Sequence, residues 1–294
     1  QVERTITRMQ EILRRQPSLL LSEAEVALIE RRLRLLRALL EVRGLFKRGD
    51  YEALRQLAQE TEALPPDEEV NWNMIALSFT FSLILAIGGE VADLREQLLA
   101  MKQQAMQTGD HLTTIRVMRW LARAYEQAGQ LHQVHREALS ALALIEQIGG
   151  YTSMAGYLHY YLFNASYSWN RLEEASDSLR RLIHIGQDWQ QVDLLILGEV
   201  CSARLALARG DLSTAQEALQ KLEALVEQEG FAEHAPWVVH TRVRLWLASR
   251  NLAQASEWAT QTTLSPEAWD PLRKWELLLL ARVFLAQQQY TQAV

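Results

Sequence analysis

Arg204-Leu-Ala-Leu-Ala-Arg-Gly-Asp-Leu-Ser-Thr-Ala215 reads as the end of one helix, a tight turn at Gly210-Asp211 and the start of a second helix. Leu212 and Ala215 stand one turn apart on that second helix, so both can face the first. The same device recurs as Arg48-Gly49-Asp50-Tyr51, Gly88-Gly89-Glu90-Val91, Ala128-Gly129-Gln130-Leu131, Trp169-Asn170-Arg171-Leu172, Ser249-Arg250-Asn251-Leu252 and Gln287-Gln288-Gln289-Tyr290. The apolar anchors Tyr51, Val91, Leu131, Leu172, Leu212, Leu252 and Tyr290 are therefore 40, 40, 41, 40, 40 and 38 residues apart. A near-constant period of this size marks a helical solenoid, in which each helix pair buries its apolar face against its neighbours. The period predicts an all-α chain of about seven helix pairs that offers a binding surface.

The composition supports a large core: 294 residues, 49% hydrophobic and 22% charged. Length alone suggests about two domains. The repeat instead predicts one continuous body over residues 1–294. With 30 basic against 36 acidic residues and a net charge of −6, the segment lacks the basic surface that direct nucleic-acid contact requires. No apolar run reaches the roughly 18 residues of a membrane helix; the best candidate, Ile75 to Ile87, carries Ser78, Thr80 and Ser82. No signal peptide is read, and the lone Cys201 fits a reducing, cytoplasmic setting. The chain opens at Gln1 rather than Met and stops at Val294, just inside a helix, which is expected of a segment taken from a longer protein.

In chain order, Val2 to Arg15 reads as a helix with Ile6, Met9, Ile12 and Leu13 at helical spacing, stopped by Gln16-Pro17. Ser22 and Glu25 form a capping box for a long helix running to about Arg48. Tyr51 to Leu64 is its partner, closed by Pro65-Pro66, and Asp67 caps a helix running to about Ile87. Later second helices end near Thr108-Gly109, Gly149-Gly150, Asp188, Gly230 and Thr263, and Ser265-Pro266 opens the last long helix. Thirteen or more helices and no strands are expected.

Aligned on the anchors, the repeat shows Ala122, Tyr125, Gly129, Leu131 and Val134; then Ala203, Ala206, Gly210, Leu212 and Ala215; then Val243, Trp246, Leu252 and Ala255. This pattern resembles the tetratricopeptide (TPR) family. It departs from it in a period longer than the usual 34 residues and in mostly lacking the helix-ending Pro. The longer repeat resembles the sensor segment of large ATP-dependent LuxR-type transcription activators. That resemblance implies a right-handed superhelix, an NTPase module upstream that alone would bind ATP, a helix-turn-helix domain downstream, and self-association of the whole protein.

In TPR-like solenoids the first helix of each pair lines the concave face. The position eight residues before each anchor on that face holds Arg43, Leu83, Arg123, Asn164, Arg204, Arg244 and Arg282. A column of arginines suits carboxylate, phosphate or planar partners. Neighbouring positions add Arg116, Arg119 and Glu126 in the third repeat, Tyr157, Tyr160 and Tyr167 in the fourth, Trp237 and His240 in the sixth, and Trp275 in the last. The expected ligand-binding residues are thus Arg116, Arg119, Arg123, Glu126, Tyr157, Tyr160, Asn164, Arg204, His240 and Arg244. The ligand would be a small polar effector or a partner protein or peptide. Equally, each Arg could pair with an acidic residue of the next repeat, Glu126 or Glu199, as packing alone.

No Gly-x-x-x-x-Gly-Lys-Ser/Thr is present, so this segment is expected to hold no ATP or other cofactor. His132 and His135 lack further ligands at metal spacing, and no nucleophile–base constellation is legible. Cys201 falls inside a helix expected to be packed, and Asn164-Ala-Ser166 is a chance glycosylation match. The chain therefore reads as a signal-sensing module and not an enzyme. The alternative is a pure protein–protein interaction scaffold.

Overall fold

In a computed structural model of the protein, Val91, Leu131, Leu172, Leu212 and Leu252 are each the first residue of a helix. The structure describes residues 22, 24–34, 37, 53, 56, 91–150, 152–228, 234–262 and 274–289. The anchors Tyr51 and Tyr290, Arg43, Leu83, the helix read at Val2 to Arg15 and the start read at Ser265-Pro266 lie outside them. Among the described residues there are eleven helices and no strand. They are α1 (24–34), α2 (Val91–Gln107), α3 (His111–Gln127), α4 (Leu131–Gln147), α5 (Met154–Ser168), α6 (Leu172–Asp188), α7 (Val192–Arg209), α8 (Leu212–Gln228), α9 (Ala235–Ala248), α10 (Leu252–Gln261) and α11 (Lys274–Ala286).

The chain divides into two compact units, Gln1–Trp120 and Leu121–Val294. In the first, the capping box of α1 forms: the Ser22 N–H donates to Glu25 Oε2 at 2.7 Å, and the Glu25 N–H donates to Ser22 Oγ at 3.3 Å. Asp110 likewise accepts the Thr113 N–H at 3.0 Å at the start of α3. Leu98, Met101 and Ala105 of α2 are buried at helical spacing.

In the second unit every helix packs on its chain neighbour, and the first helices of successive pairs also pack on each other, α5 on α7, α7 on α9 and α9 on α11. Ile196, Val200, Leu219, Leu222, Val238 and Leu245 form one core across α7, α8 and α9. Val243, Ala255, Leu279 and Val283 form another across α9, α10 and α11, with Trp246 packed against it. Gly156 of α5 permits the closest approach, since a Cβ there would stand 2.5 Å from Leu194 Cδ1 of α7. Helix α10 ends at Gln261, slightly before the expected Thr263.

One turn geometry joins each first helix to its partner. The residue two before the anchor is left-handed at Gly129, Asn170, Gly210, Arg250 and Gln288, with φ of 70°, 59°, 77°, 59° and 63°. The next N–H bonds back five residues: Gln130 to Tyr125, Arg171 to Ser166, Asp211 to Ala206, Asn251 to Trp246 and Gln289 to Phe284, all at 2.8–2.9 Å. This is the Schellman closure, which satisfies carbonyls left over at a helix end. Gly210 adopts the angle without strain, whereas Asn170, Arg250 and Gln288 hold it against the clash of Cβ with the following carbonyl.

Candidate functional site

The first helices α5, α7 and α9 carry Asn164, Arg204 and Arg244 at one repeat position, and in the second unit these meet Glu126, which stands three residues beyond that position on α3. Asn164 of α5 donates through Nδ2 to Glu126 Oε1 of α3 at 2.6 Å. Arg204 of α7 donates through Nη1 to Asn164 Oδ1 at 2.6 Å. Both ends of the amide are therefore used. Beyond Arg204 the contacts become aromatic: its guanidinium stands 4.5 Å from the Tyr167 ring centre and 5.4 Å from that of Phe163. Those two rings stack at 5.6 Å and 22°. On the next helix, Arg244 Nη2 donates to the Tyr167 hydroxyl at 3.4 Å. Glu126, Asn164, Arg204 and Arg244 thus form a column across α3, α5, α7 and α9, with Tyr167 as the platform between the two arginines.

Burial sets the charge states around this column. The His240 imidazole is held down to about 4 by burial and then by Arg244, Arg204 and Arg282, so it is neutral at pH 7. Burial pushes the Tyr160 phenol far above its usual range; Glu126 adds to this, while Arg204 and a bond from Asn164 oppose it. The buried Cys201 thiol is pushed up to about 12, chiefly by desolvation, which makes it unreactive.

The remaining expected residues stand elsewhere. Arg123 is partly buried and, among the described residues, has no ion-pair or hydrogen-bond partner. Tyr157 is partly buried. Arg116 and Arg119 belong to the first unit. Burial and then the neighbouring Arg119 lower the Arg116 pKa, while Arg119 lies 4.6 Å over the Trp120 ring. Of the two acids named for inter-repeat pairing, Glu126 reaches the column through Asn164. Glu199 is held protonated more readily by burial, opposed by Lys221. Asn164, placed by the periodicity on an open face, is only 6% exposed because both neighbouring repeats close over it. Phe163 was missed altogether; its one signal is an aromatic residue adjacent to the column position.

A second feature has no sequence signal. A cleft of about 790 Å³ opens between α4 and α6 over α5, lined by Leu139, Leu142, Glu146, His159, Glu174 and Arg181 among others. His159 is 6% exposed, and its Nδ1 has no hydrogen-bond partner among the described residues. Burial and then Arg181 hold its pKa down to about 4. His132 and His135 pack on the Trp169 ring at 4.8 and 5.4 Å. Among the described residues no group of three or more His, Cys, Asp or Glu is placed to hold a metal ion, and no helix is long and apolar enough to cross a membrane.

Compared with known proteins, residues 32–294 match the family model of the MalT-like TPR region. The HTH-type transcriptional regulator MalT of Yersinia pestis (strain Pestoides F) is 29% identical over 269 residues, covering 83% of this chain and 28% of that regulator. The MalT of Yersinia pseudotuberculosis serotype O:1b (strain IP 31758) gives the same figures, 29% over 269 residues. That of Serratia proteamaculans (strain 568) is 31% identical over 133 residues, 43% of this chain and 14% of the regulator. The chain spans well under a third of the length of these relatives.

Proposed function

The chain belongs to the MalT-like TPR region family, and from that premise we propose that it is the signal-sensing segment of an HTH-type transcriptional regulator. A small polar effector, or a partner protein, binds on the face built by the first helices. The observation that carries this reading is the column itself. Glu126, Asn164, Arg204, Tyr167 and Arg244 are each held by a group from another repeat. A ligand that takes over any one of these contacts changes the packing of one repeat on the next. Its binding energy then biases the arrangement of the helices, which is what a sensor requires.

On this reading the segment is regulatory rather than catalytic and acts in the cytoplasm. Its pairs continue as one right-handed solenoid of about seven repeats over residues 1–294, ATP is handled only by an upstream module, and DNA is contacted by another part of the regulator. A thermal-shift screen of polar metabolites against the protein tests it, repeated with Arg204→Ala and Arg244→Ala. The expected result is a stabilising metabolite whose affinity falls at least tenfold in both variants. Unchanged affinity would remove the column from the site.

A scaffold with no small-molecule effector is the second reading. It is favoured by the repetition of arginine along successive helices, which suits an extended acidic segment. It predicts binding that weakens steeply with salt.

A further inference from the structure

Arg204, Arg244 and Arg282 occupy one position of three successive first helices, α7, α9 and α11, and these helices pack on one another in that order. Two of them share Tyr167, Arg204 lying over its ring at 4.5 Å and Arg244 donating to its hydroxyl at 3.4 Å. Arg244 and Arg204 are partly buried and Arg282 is exposed. Among the described residues, no carboxylate forms an ion pair with any of the three. Acids elsewhere in this unit do pair with basic groups: Glu223 with Arg242 at 2.6 Å, Glu173 with Arg209 at 2.7 Å and Asp193 with His234 at 3.1 Å. Glu126, the acid of the column, accepts from the Asn164 amide, whose oxygen in turn accepts from Arg204.

In a chain with 36 acidic residues against 30 basic ones, acids for pairing are not scarce. Three guanidiniums on adjacent helices repel one another unless an anion comes between them. His240 lies in their field and is kept neutral there, so it adds a hydrogen-bonding ring without further positive charge. The Trp237 ring closes over its edge at 6.3 Å. Each guanidinium presents a planar fork that matches two oxygens of a carboxylate or phosphate. Packed helix axes stand about 8–10 Å apart, so one small monoanion engages at most a neighbouring pair of arginines, while a ligand with several anionic groups engages all three.

Resting on the sensing reading above, we propose that the effector is a small molecule bearing two or more phosphate or carboxylate groups, bound by Arg204, Arg244 and Arg282, the first two of which Tyr167 holds in place. Pyrophosphate and citrate are the two probes, titrated into the protein by calorimetry at constant ionic strength, with sodium chloride as the control. At least one probe should bind with submillimolar affinity and raise Tm. Arg244→Ala and the exposed, fold-neutral Arg282→Ala should each weaken it at least tenfold, while Arg209→Ala, whose partner is Glu173, should leave it unchanged. Pyrophosphate binding alone identifies phosphate as the recognised group; citrate binding alone identifies carboxylate. Binding of neither probe above the salt control, or binding indifferent to Arg244→Ala and Arg282→Ala, overturns the proposal. If, in that case, an uncharged metabolite still binds and is lost in Arg204→Ala, the sensing reading stands without its anionic effector.

Discussion

The column on the first helices and the cleft between α4 and α6 treat buried polar groups in opposite ways. In the column, Asn164 is almost fully buried and both ends of its amide are bonded. In the cleft, His159 is buried to the same 6% exposure, yet its Nδ1 has no partner among the described residues and some 790 Å³ stands open beside it. A buried polar atom with a partner contributes modestly, whereas one without a partner carries its whole desolvation cost. The column therefore holds repeats together through its polarity. The cleft tolerates its polarity only because the imidazole is neutral. A ligand for the column must exchange existing bonds, and that exchange is the means of signalling.

Acid should reveal the contrast most strongly. His159 and His240 both fall to about 4 in the folded protein from an ordinary 6.5. The unfolded chain then takes up protons first as pH drops below 6.5. Stability should be level above pH 6.5 and decline toward pH 4, by on the order of 3 kcal/mol for each of the two groups. Urea unfolding at stepped pH measures this, and the two sites separate by salt. The arginine contribution to His240 is partly screened, so the decline removed by His240→Gln should shrink at 0.5 M sodium chloride. The decline removed by His159→Leu, set mainly by burial, should change less. Identical salt responses would erase the distinction between the two regions.

Asn164→Ala ranks next. It strips Glu126 and Arg204 of a shared partner and should destabilise the protein by about 2 kcal/mol in urea unfolding at pH 7. A loss below about 0.5 kcal/mol would mean that the column holds nothing together. At the same pH, His159→Leu should act in the opposite direction, gaining about 1 kcal/mol by replacing an unbonded nitrogen with apolar volume. Destabilisation there would show that His159 Nδ1 has a partner after all. Arg250→Gly is expected to have the smallest effect. The left-handed turn joining α9 to α10 would lose its Cβ clash and gain about 0.5 kcal/mol in Tm-derived stability; a loss would mean that the Arg250 side chain supports the turn.

What could be read in advance follows the same division. The column was legible because it repeats: Asn164 and Arg204 are 40 residues apart, so aligning the anchors aligns the contact. Its burial was not, because a helix face judged one helix at a time ignores the neighbours that close over it. The cleft residues Glu146, His159 and Arg181 come from different positions of different repeats, and no period collects them. Gly210 announced its turn, whereas Arg250 and Asn170 adopt the same angle because helix packing imposes it.

The distance from that left-handed residue to the next anchor is two in every repeat described, while the anchor-to-anchor interval ranges from 38 to 41. The slack is taken up elsewhere, as in the six residues between α4 and α5 against the three between α6 and α7. In genetic terms, the repeat tolerates spelling changes at the turn but not a change of reading length there. One codon added between Arg250 and Leu252 would rotate Ala255 by about 100° about its helix and turn it out of the core that it shares with Val243 of α9 and Leu279 of α11. The same codon added between α4 and α5 would fall in a connection already seen to vary. Insertions recovered from a random library should therefore accumulate after the second helix of a pair and be missing from the turn that follows the first.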